Sequence, residues 1–397
     1  MKETIRQAII NSFDSKFEEI WNIALSIHET PEIAFQEFHS RDLQTEFLLK
    51  EGFTVTKDIG GLRTSYAAKV GSGKPVIAIF AEYDALPQLG HACGHNLIAA
   101  SALGAAIICK EFLQRTKTEG TLMVYGTPAE ESGGGKIMML KNGAFEGVDA
   151  VIMQHPTSAT TRLAGSCMSS NHLTFEFYGK SAQAGSHPEK GINALNAAIL
   201  YITACSFLRQ TMKTTTRFSE YVADGGVASN VLPGYAKVET GVRSFSLKDL
   251  NTYTNQLINA AEHCAKAMGC TVKTNKETGY LGRIPNNTLS NICRKELLSL
   301  GEPVMDGMPD DYGGEDLGNV SRRIPICNPY VTLFPDYKIS GHTPQFRDLA
   351  ASESGKHCVE IASKAMGLTA CDLFENPLLI EDAKKELQQR LESEENE

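Results

Sequence analysis

The stretch Ala81-Glu82-Tyr83-Asp84-Ala85-Leu86-Pro87 runs on into Gly90-His91-Ala92-Cys93-Gly94-His95-Asn96. It follows the apolar segment Pro75 to Phe80, which reads as a buried strand. Directly behind it, Asn96 to Phe112 is rich in Ala, Leu and Ile and reads as a helix. Thiolate, imidazole and carboxylate are the side chains that hold transition metals, and all three occur here within a few residues. Cys93 and His95 are two positions apart, so they cannot share one face of a helix. They belong on an irregular turn at the end of the strand, where α/β folds place their sites.

The rest of the chain extends this strand, turn, helix pattern. Ile5 to Ser26 and Ser40 to Lys50 read as helices, and Thr64 to Val70 and Val76 to Phe80 as strands. Thr121 to Gly126 and Ala150 to Gln154 add strands around a helix at Gly135 to Asn142. That alternation predicts an α/β fold, a sheet flanked by helices. The middle reads as β-α-β-β-α-β: His172 to Tyr178, Gly191 to Gln210, Thr216 to Ala223, Ala236 to Val242, Leu247 to Met268 and Thr271 to Lys276. This is the order of a ferredoxin-like module, inserted as residues 171–279 into a discontinuous domain made of residues 1–170 and 280–397. Its edge strand and helix face need cover, which predicts pairing between two copies. A charged helical tail, Glu381 to Glu397, ends the chain.

Composition limits the partners. The 397 residues suit two domains, and 42% hydrophobic with 21% charged residues is the profile of a soluble globular chain. A net charge of −9 with no basic block argues against nucleic acid. No continuous apolar run has the roughly 20 residues of a membrane span, and the N-terminus lacks a signal-peptide core. Ten cysteines stand singly, which predicts reduced thiols in a cytoplasmic protein. All but Cys93 read as packing residues.

Three further segments carry candidate ligands. The strand ending at Gly126 continues as Thr127-Pro128-Ala129-Glu130-Glu131-Ser132 and then three glycines. Adjacent side chains point different ways, so one of these carboxylates can hold a cation while the other faces substrate as a general base. His155 follows the next strand, and His342 follows the strand Tyr330 to Phe334 after a short loop. Singly, each is an ordinary structural histidine or an acidic turn. Together they form a full ligand set for two metals.

These motifs resemble the dinuclear metal-dependent amidohydrolases and metallopeptidases, which include hippurate hydrolases, N-acyl-amino-acid amidohydrolases, carboxypeptidases and aminoacylases. Ala81 to Pro87 and Gly90 to Asn96 are similar to the branch around p-aminobenzoyl-glutamate hydrolase and related dipeptidases. The resemblance extends through Pro31-Glu32, Gly179 to Ala182, Gly191 to Leu195, Gly314 to Ser321 and Gly341 to Thr343. It implies that Cys93 bridges two divalent metals and that His95, Glu131, His155 and His342 complete the set. It implies Glu130 as general base and then acid, and Asp84 as the residue that orients a ligand. It makes the inserted module a lid that also forms a homodimer or homotetramer. On that lid, Asn230 within Ala228 to Pro233, together with Arg243, matches residues that hold a substrate carboxylate or the developing oxyanion. Arg243 also reads as a solvated strand residue.

One departure stands out. The family's Ala-His-Ala is Ala182-Gln183-Ala184 here, and a glutamine cannot carry a proton. His187 reads as a surface residue. The expected activity is hydrolysis of the amide bond of an N-acyl or N-aminoacyl amino acid with two metals, zinc or manganese, cobalt and nickel also fitting the ligands. The expected substrate is a small N-acyl amino acid or dipeptide. A broader peptidase on short peptides and a catalytically silent metal-binding protein are the rival readings.

Overall fold

The computed structural model describes residues 1–334 and 336–396. Glu397, the last residue of the expected tail, lies outside them. In chain order the elements are helices α1 (Glu3–Asp14), α2 (Phe17–Glu29) and α3 (Phe38–Lys50), then strands β1 (Thr54–Lys57), β2 (Tyr66–Ser72) and β3 (Val76–Ala81). There follow α4 (His95–Thr116), β4 (Gly120–Gly126), α5 (Gly135–Lys141), β5 (Ala150–Ile152), β6 (His155–Thr157), β7 (Arg162–Leu163) and β8 (Ser169–Tyr178). Next come β9 (Ala182–Gln183), α6 (Ala194–Leu208), β10 (Thr216–Asp224), β11 (Val231–Leu232), β12 (Tyr235–Ser244), α7 (Leu247–Ala267) and β13 (Thr271–Thr278). The chain ends with α8 (Asn287–Ser299), α9 (Leu317–Ser321), β14 (Ile326–Cys327), β15 (Pro329–Thr332), α10 (Pro344–Leu349), α11 (Glu353–Glu375) and α12 (Leu378–Asn396).

Two boundaries differ from the sequence reading for local reasons. The single N-terminal helix is two, because the Ser15 hydroxyl bonds back to the Ser12 carbonyl at 2.7 Å and ends α1. The helix expected from Gly191 begins at Ala194, because the Asn193 side chain accepts from the Leu195 and Asn196 amides and caps it there.

The chain divides into two compact units. The first comprises Met1–Ser166, Arg283–Asp311 and Glu315–Glu395, and the second Cys167–Gly282 with Tyr312–Gly314. Tyr312–Gly314 lies outside the expected insertion. It is held by the bond from the Met168 amide to the Gly313 carbonyl at 3.0 Å and by the Tyr312 ring against Phe245.

The first unit carries a six-stranded mixed sheet in the order β1-β2-β4-β3-β5-β14. β1, β2 and β4 pair antiparallel, while β4, β3, β5 and β14 run parallel. β3 is apolar on both sides, as a central parallel strand must be. Helix α4 packs against α1, α2 and α11. It is long and apolar enough to cross a membrane, yet 89% of its most apolar window is buried inside the protein, which makes it a core helix. In the sequence its apolar run, Leu97 to Cys109, is interrupted only by Ser101 and stops at Lys110. α4 and α11 meet closely at Gly104, where an added Cβ would stand 2.2 Å from Ser363 Oγ and 2.7 Å from a Phe13 ring carbon.

The second unit has a four-stranded antiparallel sheet in the order β10-β12-β8-β13. Leu173, Phe175 and Phe177 of β8 alternate inward and share one core with Ala197, Tyr201, Leu257 and Ala261 of α6 and α7. The elements run β8-α6-β10-β12-α7-β13 along the chain, apart from the short β9 and β11 pair. β10 and β13 are the sheet edges.

The close approach at Gly104 gives a stability test. Gly104→Val should overpack the contact with α11 and cost about 1–3 kcal/mol, lowering the thermal midpoint. An unchanged melting curve would show that the two helices do not depend on that glycine.

Candidate active site

The parallel register sets the site. Ala81 of β3 pairs with Gly126 of β4, so both strands end at the same level and deliver their following residues to one edge. β5 ends beside β3, with Ile79 opposite Ile152, and His155 follows three residues later. Past Ala81 the extended backbone sends Glu82 and Asp84 to one side and Tyr83 to the other. Tyr83 donates to the Thr64 carbonyl at 2.7 Å. Glu82 and Asp84 are both 1% exposed and meet His95.

His95 is the first residue of α4, and Cys93 sits on the turn before it, as the two-residue spacing requires. Gly94 between them has φ +78, and a Cβ there would fall 2.6 Å from Pro156 Cγ, so the turn needs glycine. His342, with φ +59, is tied to the same turn by its amide, which donates to the Ala92 carbonyl at 2.9 Å.

The structure brings together all five expected ligands. Donor atoms of Cys93, His95 and His155 lie within 4.8 Å of one another, as do those of Cys93, Glu131 and His342. Cys93 belongs to both groups. His95, Glu130 and Glu131 form a third group of the same size. Cys93 Sγ stands 3.5 Å from His155 Nε2, and Glu131 Oε1 3.4 Å from His342 Nε2. His95 is deeply buried, whereas the His342 side chain is 54% exposed.

Asp84 braces the cluster twice. One carboxylate oxygen stands 3.1 Å from His95 Nδ1, and the other accepts the Glu131 amide at 2.9 Å. The bond to Nδ1 leaves Nε2 directed at the donor cluster. Glu37 holds the same turn from behind, accepting the Ala129 amide at 2.9 Å, where Ala129 has φ +62. A non-glycine residue in that region is strained, and the strain sits one residue before Glu130.

The sequence did not point to four groups. Glu37 was hidden in a segment without a motif. Lys136 is a fully buried lysine at the start of α5, bonded through Nζ to Glu82 at 2.5 Å and to Asp316 at 2.7 Å. Its amide also donates to Asp316 Oδ2. Glu82 stood in the quoted motif without a role, although its spacing from Asp84 put both on one side. Tyr330 stacks on His155 with ring centroids 5.0 Å apart.

The electrostatics follow from burial among acids. Burial raises the pKa of Glu130 well above the ordinary value, with Glu82 and Asp316 adding to it. Burial alone would lower Lys136, but Asp316, Glu82 and Glu130 hold it above the usual lysine range. Burial pushes the Cys93 thiol up, and for His95 the surrounding Cys93, Asp84 and Glu82 overcome burial and raise it. A bound cation reverses these directions, so its uptake releases protons and weakens as pH falls.

The residues fit a metal centre on two grounds. His95 Nε2, Glu131 Oε1 and Glu82 Oε2 are buried side-chain atoms with no hydrogen-bond partner, a costly state unless a cation is shared between them. The donor set of thiolate, imidazole and carboxylate suits borderline transition metals.

Residues 78–366 match the model of peptidase family M20/M25/M40. The chain belongs to this family. It is a metal-dependent hydrolase of amide bonds. The chain is 33% identical over 411 residues to a Xaa-Arg dipeptidase from Mus musculus, covering 99% of this chain and 94% of that protein. It is 31% identical to a component of the p-aminobenzoyl-glutamate hydrolase from Escherichia coli (strain K12), over 76% of this chain and 66% of that protein. Among solved structures, a dinuclear metal binding peptidase of family M20 from Bacillus subtilis superposes with a TM-score of 0.73 at 22% identity, over 91% of this chain and 99% of that one.

Asn230 and Arg243 belong to the second unit, and both are exposed. Arg243 lies opposite Arg217 near one end of β12. Asn230 lies beyond the other end, beside β9, where its carbonyl accepts the Ala184 amide at 2.9 Å and Val231 pairs with Gln183. Tyr235 to Arg243 alone spans roughly 26 Å at the rise of a strand. The expectation that both residues grip one carboxylate therefore fails within a single chain. His187 is exposed, as expected for a surface residue.

The double brace on Asp84 is testable. Asp84→Asn should release His95 and the Glu131 turn together and weaken metal binding by about 10–100-fold with the fold intact. Competition against a chromophoric chelator measures the loss, and unchanged affinity would reduce Asp84 to a packing residue.

Proposed function

We propose that this enzyme releases an amino acid with a free carboxylate from an N-acyl amino acid or dipeptide, using two metals held by Cys93, His95, Glu131, His155 and His342. The observation that carries the reading is the shared position of Cys93 in two donor groups, with Glu130 beside them. Thiolate and imidazole donors favour zinc, and manganese, cobalt or nickel would also bind the set. Two such ions would polarise the scissile carbonyl and acidify the attacking water. Glu130 takes the proton of that water and returns it to the leaving amine. Asp84 keeps His95 in one tautomer throughout. All ten cysteines are free, which supports a reducing, cytoplasmic setting.

Glu130 and Glu131 divide the labour in this reading. Glu130→Gln should keep its metal and its substrate affinity while kcat falls roughly 10²–10⁴-fold. Glu131→Ala should lose metal. Normal turnover by Glu130→Gln would place the base on another group.

Residues 171–279 serve in this reading as a lid and as the contact between two copies. Ile199 and Phe207 of α6 and Tyr221 on the edge strand β10 are exposed apolar side chains that a second copy would cover. Arg243 offers a planar fork for the substrate carboxylate. Because Asn230 lies at the opposite end of the sheet, its share in the same substrate must come from a second copy. Arg243→Ala and Asn230→Ala should each lose the preference for a free acid over its amide. Coexpressed in mixed dimers, the two variants should regain activity that neither has alone. A strict monomer in light scattering, or a mixture no better than the average of its parts, would refute the shared site.

A further inference from the structure

The loop Pro31 to Glu37 borders the catalytic turns and has no part in the chemistry above. It is tied to both of them. The Ala85 amide donates to the Glu32 carbonyl at 2.8 Å, and Glu37 Oε1 accepts the Ala129 amide at 2.9 Å. The loop is thereby fixed to the residues that follow β3 and β4. Between these ties the Gln36 amide donates to the Ile33 carbonyl at 3.0 Å and closes a β-turn with Ala34 and Phe35 at its centre.

Phe35 is an unfavourable residue for that turn. Its φ is +64. The second central position of such a turn takes glycine or asparagine, and a bulky side chain there is strained. Deep burial does not offset the strain, since 41% of Phe35 is exposed. Its ring lies instead against Gly133, two residues past Glu131. A Cβ on Gly133 would stand 2.5 Å from Phe35 Cζ and 2.6 Å from Cε2. Gly133 has no left-handed backbone, so room for the ring is what requires glycine there. Part of the ring therefore covers the turn that carries Glu130 and Glu131, and the rest is open, as is Ile33 at 40% exposure. Phe38, the next aromatic, is differently placed: Arg41 and Arg63 stand over its ring at 5.2 and 5.5 Å. Strain kept at an exposed aromatic beside the reacting groups points to a contact that the ring makes.

We infer that Phe35, with Ile33, is the wall against which the acyl side of the substrate packs, so that the enzyme prefers bulky apolar acyl groups, aromatic or branched, to acetyl or charged ones. This rests on the N-acyl amino acid or dipeptide reading above. A substrate whose carbonyl lies beside Glu130 and Glu131 extends two ways from it. One arm ends in a carboxylate and needs a cation. The other arm carries the acyl group, and an apolar wall suits only that arm. Phe35 touches no reacting atom in this role. It binds and orients the substrate, and binding energy from such a contact acts on kcat/KM.

The test compares kcat/KM, read by amine release from the metal-loaded full-length enzyme. The substrates are N-acetyl, N-succinyl, N-isovaleryl and N-benzoyl amino acids, with dipeptides that begin in glycine or phenylalanine. Each is prepared with alanine, glutamate and arginine in turn as the released amino acid. The isovaleryl, benzoyl and phenylalanyl members should exceed the acetyl, succinyl and glycyl ones at least about tenfold. Phe35→Gly should cut that ratio at least about tenfold, and it should fold, because glycine adopts φ +64 without strain. Phe35→Leu, which restores an apolar side chain, should recover most of the preference. Gly133→Ala should cut the ratio from the other side by displacing the ring. A ratio near one in the unaltered enzyme, or an unchanged ratio in folded Phe35→Gly, would overturn the inference. So would a Phe35→Gly that changes the oligomeric mass in light scattering and leaves the ratio intact, which would make the ring a contact between copies. No turnover of any member of the series would instead overturn the reading on which the inference rests.

Discussion

The structure depends on how it tolerates carboxylates crowded at the end of two parallel strands. Glu82, Asp84, Glu130 and Glu131 arrive there because β3 and β4 end in register, and Glu37 and Asp316 close in from other segments. In water such groups would separate. Here the sheet holds their backbones, so the repulsion must be met by positive charge. Lys136 supplies one permanent charge, fully buried and paired on two sides. It is too little for the acids around it, and burial, with Glu82 and Asp316 adding to it, raises the pKa of Glu130. A buried pair of this kind adds little to stability beyond what its desolvation costs, so its value here lies in fixing geometry.

The same imbalance couples protons to metal. Protons on His95, Glu130 and Cys93 satisfy the cluster in one way, and divalent cations satisfy it in another. The two compete, so the site is at once a metal trap and a proton store. Under the proposed reaction Glu130 would use this directly, accepting a proton and returning it within one turnover. Asp84 stays ionised in the same surroundings: burial opposes it, but His95 and the Glu131 amide hold its pKa down. Adjacent acids thus take opposite roles because their hydrogen-bond partners differ.

Much of this was legible in the sequence. The apolar run before Ala81 fixed β3, and the Cys93-Gly94-His95 spacing required the turn that begins α4. Glu130 and Glu131 announced themselves by adjacency at a strand end. His155 and His342 were legible only in company, because a lone histidine carries no signal. Lys136 was not legible: nothing in Gly133-Gly134-Gly135-Lys136 distinguishes a buried lysine from an exposed one until Asp316, distant in sequence, is folded against it. Glu37 failed for the same reason. The relation of Asn230 to Arg243 failed differently. Both motif residues were found, but their distance along β12 is a property of the sheet register, which local patterns do not contain.

The depth of the cluster sets the order in which its parts act. Cys93 joins the buried His95 and the half-buried His155 to the largely buried Glu131 and the half-exposed His342, so one thiolate reaches from dry interior toward the surface. Charge interactions strengthen as water is excluded. A cation at the buried donors would therefore be held harder than one at the exposed side, even with similar chemistry. The side that is held harder can stabilise the fold, because any ion bound only by the native state shifts the folding equilibrium toward it. The side that is held more loosely can change its partners during a reaction. The gradient of burial thus runs from His95 to His342 along a single edge of one sheet.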